Sequence, residues 1–191
     1  LPAVFSDHMV LQRDREIPFW GTADPGEAIS VDVAGQKATV RAKRDSTWSV
    51  RVSSLPAGGP HTVTIAGTNT IVLRDVLVGD VWVCSGQSNM GWTVLKAKDK
   101  DQEIAAANYP LIRHNTWQWQ VCSPKTVGRF SATGYFFGRK LFKELNVPIG
   151  LINRSVGGTP IEFWMPEKAL LTIPLARERY DKCNKPEVLA K

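Results

Sequence analysis

The chain has 191 residues, 43% of them hydrophobic, so it can bury a sizeable core in one or two domains. Its 24 lysines and arginines exceed its 18 acidic residues, which gives a net charge of +6 and a pI near 9.4. The basic residues are scattered along the chain rather than grouped, which argues against a nucleic-acid partner. No apolar run approaches the roughly 20 residues that span a bilayer, so no membrane segment is expected.

Residues 1–76 are expected to form a small antiparallel β-sandwich domain. Polar and apolar residues alternate in several short segments, which is typical of strands with one buried face. These segments are Ile29–Val33, Ala38–Ala42, Trp48–Val52 and His61–Ile65. Turn residues such as Asp24-Pro-Gly26 and Ala34-Gly35 separate them. Short strands at this spacing favour a sandwich.

Residues 77–191 are expected to form an α/β domain, because strands and helices alternate there. The run Val81–Val83 predicts a buried strand, since β-branched and aromatic residues favour one. Helices are predicted over 99–108 and from Ser131 to about Leu145, with Asp99 and Ser131 as N-caps. Further strands are predicted at 111–113 and 149–152. This alternation implies a parallel sheet flanked by helices, with a site beyond the carboxyl ends of the strands.

The segment Ser85-Gly-Gln-Ser-Asn-Met90 follows directly on the strand predicted at Val81–Val83. Gly86 permits a tight turn, and Ser88 falls where a helix would begin. A serine there has its hydroxyl exposed near the first free N–H groups of a helix, which is the layout that a serine nucleophile needs. The alternative is an ordinary strand-to-helix turn in which Ser88 or Asn89 is the N-cap.

A second turn with glycines, Gly157-Gly158, follows the strand predicted at 149–152. Because the strands of a parallel sheet end at the same edge, this turn and the one before Ser88 are expected to converge. An ordinary left-handed turn is the alternative explanation for these glycines. The convergence supports an active site at this edge.

Several segments resemble, in order, the sialate O-acetylesterase family, a carbohydrate-esterase branch of the SGNH (GDSL-like) hydrolases. They are Phe5–Arg13 with Phe19–Gly21, Gly86–Met90, Cys122–Val127, Phe130–Ala132 with Tyr135–Gly138, Val147–Asn153, and Val156–Glu162 with Trp164. Each motif is weak alone, but their combination over about residues 1–166 is specific. The resemblance implies a three-layer SGNH-hydrolase-like α/β sheet and a secreted or periplasmic serine hydrolase that removes O-acetyl groups from sugars.

The resemblance also implies roles for individual residues. Ser88 would be the nucleophile, and its own backbone N–H together with that of Gly158 (or of Gly157) would stabilise the oxyanion. Gln87, Asn89, Gly157 and Thr159 would line the substrate site. No cofactor and no metal are implied. The expected substrate is an acetylated sialic acid, with acetylated xylan as the alternative.

The family's base comes from a C-terminal Asp-x-x-His block, and a further donor comes from a Trp-x-Gln-Gly-Glu segment; neither is present in this sequence. The histidines are His8, His61 and His114, and each is expected to be structural. The chain therefore resembles the amino-terminal portion of an esterase, which a C-terminal segment or second chain would complete. The competing hypothesis is a non-catalytic sugar-binding or scaffold remnant.

The three cysteines, Cys84, Cys122 and Cys183, show no CxxC spacing, which argues against a metal site or a closed set of disulfides. Cys84 precedes the Ser88 turn inside an apolar run, so we expect it to pack as a small hydrophobe rather than to react. The sequence begins without Met and without a signal-peptide pattern, which fits a mature or trimmed form.

Overall fold

The first part of the chain folds into strands, as the alternating pattern predicts. In the computed structural model, which describes residues 1–183, these strands come in chain order. They are β1 (Val10–Gln12), β2 (Ile17–Thr22), β3 (Ala28–Val33), β4 (Gln36–Arg41), β5 (Thr47–Val52), β6 (Gly58–Ala66) and β7 (Thr70–Gly86). Strands β2 and β5 form a small antiparallel sheet of their own.

The second part alternates between helices and strands, which confirms the α/β class. Its elements are α1 (Ser88–Gly91), α2 (Lys100–Ala105), β8 (Tyr109–Asn115), β9 (Trp119–Cys122), α3 (Ala132–Leu145), β10 (Ile149–Ser155), α4 (Glu167–Leu170) and α5 (Pro174–Cys183). Short 3₁₀ turns lie at Val94–Lys96, Val127–Arg129 and Ile161–Trp164. None of the helices in the described part of the chain is long and apolar enough to cross a membrane.

Strand β7 belongs to both parts of the molecule. Its first half pairs antiparallel with β6 over 70–78, and its second half pairs parallel with β10 over 80–86. Strand β10 in turn pairs parallel with β8, and the large sheet has the order β4-β3-β6-β7-β10-β8-β9, with β1 beside β7. The predicted division after residue 76 falls inside this continuous strand, and a boundary there stays a prediction.

Two hydrophobic clusters flank this sheet. One is formed mainly by β1–β7, and the other by α3 with the strands β8 and β10. Strand β10 passes close to the first cluster at Gly150, where an added Cβ would lie 2.8 Å from Val10 and 3.2 Å from the Trp119 ring. Only glycine permits this close approach of β10 to the amino-terminal part.

The two predicted helix starts differ in how they are capped. Ser131 caps α3 as expected, because its hydroxyl accepts a hydrogen bond from the Gly134 N–H at 3.0 Å. Asp99 precedes α2, but it has a left-handed backbone (φ 55°) and its side chain makes no capping bond. The position of this helix start is therefore confirmed, whereas the predicted side-chain cap is not.

The strand predicted at Val81–Val83 exists, but the prediction that it is buried is wrong. Trp82 is 44% exposed and Val83 is 66% exposed. In this half of β7, the main-chain groups of the even-numbered residues hydrogen-bond to the segment around β10. The Asp80 N–H donates to the Pro148 carbonyl, and the Gly86 carbonyl accepts from the Val156 N–H. The odd-numbered residues face the opposite edge, where the Val81 N–H donates to the Gln12 side chain. Beyond β1, no strand within residues 1–183 pairs with that edge.

An ion pair between a buried arginine and a partly exposed carboxylate ties the two parts together. Arg113 on β8 is 3% exposed, and its guanidinium donates to both carboxylate oxygens of Asp75 on β7, at 2.8 and 3.2 Å. The same carboxylate lies 2.6 Å from Nδ1 of His8. The hydrogen bonds from Arg113 hold the pKa of Asp75 below its usual value; its partial desolvation opposes this shift, and the bond to His8 adds to it.

We expect Asp75→Asn to lower the free energy of unfolding by about 1–2 kcal/mol at pH 7, because it leaves Arg113 buried without its counter-charge, while the partly exposed carboxylate keeps the loss below that of a fully buried pair. Asparagine tolerates the left-handed backbone at this position (φ 53°), so the effect is electrostatic. Folding lowers the pKa of Asp75, so its ionised carboxylate stabilises the folded protein. This contribution to the free energy of unfolding is complete above the ordinary carboxylate pKa of about 3.9 and is lost as the pH falls below that value. Urea unfolding at pH 7 and pH 3 measures both effects.

The matched control is Asp32→Asn, which changes an exposed carboxylate on β3 and should leave stability unchanged. A difference between wild type and Asp75→Asn that stays the same at both pH values would contradict the assignment.

Candidate active site

The first site turn connects β7 to α1. Gly86 has a φ of 137°, a conformation that side chains other than hydrogen rarely permit, and it redirects the chain so that α1 begins at Ser88. The N-cap of α1 is Gln87, and no side chain caps this helix. Neither Ser88 nor Asn89 is therefore an N-cap, which removes the ordinary capping explanation for this serine. Ser88 is exposed, and no residue in 1–183 hydrogen-bonds to its hydroxyl.

The second site turn, at the end of β10, lies directly against the first. The Val156 N–H donates to the Gly86 carbonyl at 3.0 Å. A Cβ built on Gly157 would lie 3.8 Å from the Ser88 Cβ and 3.9 Å from its Cα. Gly158 follows with a left-handed backbone (φ 80°), and a Cβ there would meet nothing within 4 Å. The two glycine-bearing turns thus meet at the carboxyl edge of the sheet, with open space beside Gly158.

The other predicted site residues differ in how free they are. The Thr159 hydroxyl donates to the Val156 carbonyl at 2.7 Å and accepts from the Trp164 indole at 2.9 Å, so it holds its own loop together. Gln87 and Asn89 are exposed, and no side-chain hydrogen bond is formed by either within the described chain. Their amides are therefore free to contact a substrate.

Two polar residues at the end of β10 escaped the sequence analysis. Asn153 Oδ1 accepts hydrogen bonds from the Ser155 N–H (3.2 Å) and from the Ser155 hydroxyl (2.7 Å). A Cβ on Gly91 would lie 3.4 Å from the Ser155 hydroxyl oxygen, so this pair lies behind α1. The change from the apolar Ile149–Ile152 run to the polar Asn153–Ser155 run was the available signal.

The amino-terminal end of α3 holds the carboxyl-terminal end of α1. The Ser131 hydroxyl, which caps α3, also donates to the Met90 carbonyl at 2.6 Å. The Thr133 hydroxyl donates to the Asn89 carbonyl at 3.2 Å, and the Ala132 N–H donates to the Trp92 carbonyl at 2.7 Å. Three donors therefore hold the carbonyl groups at the carboxyl-terminal end of α1, while Ser88 at its amino-terminal end faces outward.

His114 is buried, and its ring is engaged by the backbone at the start of α3. It is 3% exposed, its ring stacks on Phe130 at 4.4 Å, and its Nε2 lies 3.3 Å from the Ser131 N–H. Because that N–H is a donor, Nε2 is the acceptor and the imidazole is neutral. Burial, with a smaller contribution from the charge of Arg154, lowers the pKa of His114 to about 4. The expectation that this histidine is structural agrees with these contacts.

Cys84 is also structural. Its thiol is 5% exposed and packs beneath the turn, where a Cβ on Gly134 would lie 3.3 Å from its sulfur. Burial raises the pKa of this thiol, which disfavours the reactive thiolate. Within residues 1–183, no group of three His, Cys, Asp or Glu side chains could hold a metal ion.

The described geometry can support acyl transfer. A free hydroxyl lies at the start of a helix, where the first N–H groups lack intrahelical acceptors, and a glycine-bearing turn lies alongside. A model of the family described as "Carbohydrate esterase, sialic acid-specific acetylesterase" matches residues 78–186, which is more than half of the chain. The chain belongs to this family.

Individual members of this esterase family are similar over most of the chain. Sialate O-acetylesterase from Rattus norvegicus is 32% identical over 95% of this chain, and the Homo sapiens protein is 34% identical over 86%. A crystal structure of a carbohydrate acetylesterase from Xanthomonas citri superposes with a TM-score of 0.86 and 38% identity over 90% of this chain.

These relatives are much longer than the part that this chain matches. The chain spans 40% of the rat esterase, 38% of the human esterase and 43% of the Xanthomonas structure. The family match over residues 78–186 contains both site turns. The activity of the relatives therefore comes to this chain only as a proposal.

Ser131→Ala should lower the free energy of unfolding by about 1–2 kcal/mol, because it removes both the cap of α3 and the donor to the Met90 carbonyl. Thermal or urea unfolding of the purified variant measures the loss. Ser54→Ala, at an exposed serine, is the control and should have no effect. Equal stability of the two variants would mean that Ser131 does not hold the α1 turn.

Proposed function

We propose that this chain carries the nucleophile portion of a serine esterase that removes O-acetyl groups from sugars. The observation that carries the proposal is the contact between the two site turns, with Gly157 against Ser88 and the Ser88 hydroxyl free. Membership of the carbohydrate esterase family supports the chemistry. Under this proposal, the chain has an SGNH-type catalytic layout and needs no cofactor.

In the proposed reaction, the Ser88 hydroxyl oxygen attacks the carbonyl carbon of the acetyl ester. The serine proton passes to a base, and the tetrahedral oxyanion accepts hydrogen bonds from the backbone N–H groups of Ser88 and Gly158. When the intermediate collapses, the bond to the sugar oxygen breaks, the base returns the proton to that oxygen, and the acetyl group stays on Ser88. Water then attacks the acetyl-serine, loses its proton to the base, and releases acetate as Ser88 is reprotonated.

Substrate contacts in this proposal come from four residues around the nucleophile. Gln87 and Asn89 offer exposed amides, Gly157 leaves room beside Ser88, and Thr159 holds the second turn in shape. The hydroxyl of Thr159 already has two partners in its own loop, so we assign it support of the turn before direct contact.

The base is proposed to come from polypeptide other than residues 1–183. Of the histidines, His114 is buried and bonded to the Ser131 backbone, and His8 pairs with Asp75. His61 lies on β6, which pairs with the first half of β7, far along that strand from Ser88. A complementing C-terminal segment or chain would supply both the histidine and its orienting acid.

The open edge of β7 supports the same view. Val83 is 66% exposed on the strand that carries the nucleophile, and its edge has no partner strand within the described residues. A complementing segment that covers this edge would bury the apolar surface.

Acetylated sialic acid is the proposed substrate, because the mammalian relatives are named for sialate. The Xanthomonas relative is described only as a carbohydrate acetylesterase, so acetylated xylan is the alternative substrate. A secreted or periplasmic location is part of the proposal, and fractionation of the source cells tests it.

The second candidate function is a non-catalytic sugar-binding or scaffold protein. The observation that favours it is the absence of a histidine beside Ser88 within residues 1–183. The two candidates differ in whether Ser88 ever turns over an ester.

Ser88→Ala should reduce hydrolysis of 4-nitrophenyl acetate by the native protein on the order of 10⁴-fold or more, because no other group would accept the acetyl. Stability should hardly change, since Ser88 is exposed. Initial rates and labelling with a serine-directed fluorophosphonate measure the effect. Ser54→Ala is the control, and undiminished turnover by Ser88→Ala would refute the nucleophile assignment.

The isolated 191-residue chain should show negligible turnover of the same ester. Without a base, the Ser88 hydroxyl stays protonated at neutral pH and is a weak nucleophile. Adding the C-terminal segment of a relative in trans should restore the activity. Serine-dependent turnover by the chain alone, at the rate of ordinary esterases, would show instead that a base lies within these residues.

A further inference from the structure

The hairpin that joins β8 to β9 presents a tryptophan at its tip. Asn115 pairs with Trp119, so the connection consists of Thr116, Trp117 and Gln118. Trp117 is 83% exposed, more than any other large hydrophobic residue in the described chain. A single exposed apolar residue is ordinary, but an indole held at a hairpin tip beside a cavity offers a fixed aromatic face to a ligand.

Hydrogen bonds from both sides fix this hairpin. Arg154 on β10 donates to the Thr116 carbonyl at 2.7 Å and to the Asn115 side-chain oxygen at 3.0 Å. The Trp119 indole N–H donates to the Val4 carbonyl at 2.7 Å. The backbone on each side of Trp117 is therefore anchored, so little conformational entropy would be lost when a ligand binds.

A cavity of about 570 Å³ lies beside Trp117, within the range of small-molecule sites. Much of its wall is apolar surface, to which Trp117 contributes, and polar groups of Ser6, Gln118, Gln120 and Arg129 are placed around it. Arg129 is exposed, and its guanidinium forms no ion pair or hydrogen bond within residues 1–183. One aromatic face with surrounding amides, hydroxyls and a guanidinium suits a sugar ring, which has an apolar face and a polar rim.

The cavity lies at the same edge of the sheet as the candidate active site. Strands β7, β10 and β8 are parallel neighbours, so Ser88 and the hairpin both follow carboxyl ends. Two strand spacings separate them, which is about 10 Å. That separation leaves the cavity outside the reach of the acetyl group on Ser88 but within reach of another part of the same glycan.

We propose that the Trp117 cavity is a glycan subsite, in which a pyranose ring stacks on the indole while Gln118, Gln120 and Arg129 bind its polar groups. The statement that this subsite lies next to the reacting sugar rests on the proposed function. The statement that the cavity binds a sugar does not. Arg129 would pair with a sugar hydroxyl or, in an acidic sugar, with the carboxylate.

Saturation-transfer NMR on the 191-residue chain tests the proposal with two probes, the neutral xylotetraose and the acidic sialyllactose. We expect at least one probe to bind, and Trp117→Ala to weaken its binding about 10-fold or more, while Trp117→Phe retains part of it. Arg129→Gln should weaken the acidic probe more than the neutral one. Arg44→Gln, at an exposed arginine in the β4–β5 turn, is the matched control and should change neither.

Binding that survives Trp117→Ala unchanged, or the absence of binding by both probes, would overturn the proposal. Burial of Trp117 against further polypeptide in the native protein would also overturn the proposal. The fluorescence of Trp117, taken as the difference between wild type and Trp117→Phe, would then be protected from an added quencher. The measurement is repeated with Ser88→Ala, so that a failure of the esterase proposal leaves the sugar-binding result intact.

Discussion

The contact between Arg113 and Asp75 is the interaction on which the arrangement of this molecule depends. A guanidinium is costly to bury, and this one is compensated by both oxygens of one carboxylate and by the Pro110 carbonyl at 2.8 Å. Asp75 lies where β7 passes from the antiparallel to the parallel part of the sheet, and Arg113 lies on β8, two strands away in the parallel part. The pair therefore sets how the amino-terminal strands meet the strands that end at the site.

From that junction, β7 carries the backbone directly to Ser88. The turn at its end is fixed from two directions: the second site turn bonds to Gly86, and the start of α3 bonds to the carbonyls of α1. Ser131 combines three tasks, since it caps α3, donates to Met90, and provides the N–H that bonds to Nε2 of His114. The nucleophile turn is thus held by main-chain and hydroxyl contacts, while the Ser88 hydroxyl itself stays uncommitted.

Much of the local structure could be predicted from the sequence, because local signals decide it. Ser131 before a helical pattern predicted the cap of α3, and Gly86 before Ser88 predicted the strand-to-helix turn. The ion pair could not be predicted, since Arg113 and Asp75 are 38 residues apart and meet only through the course of β7. The exposure of Val83 was missed because a run of β-branched residues predicts a strand without showing whether it is central or at an edge. The hydrogen bond between Thr159 and Trp164 could not be predicted either, because residues in a loop follow no repeating sequence pattern.

The uncovered edge of β7 has a consequence for how this polypeptide behaves in concentrated solution. The main-chain groups of Val83 and Ser85 face an edge that no strand within residues 1–183 occupies, and the Val83 side chain adds apolar surface beside them. Such an edge is a template on which an extended strand from any neighbouring molecule can pair. Gln12 blocks only its first position, through the Val81 N–H. Self-association through this edge would place two nucleophile strands side by side, and a lysine at position 83 would be the simplest way to prevent it.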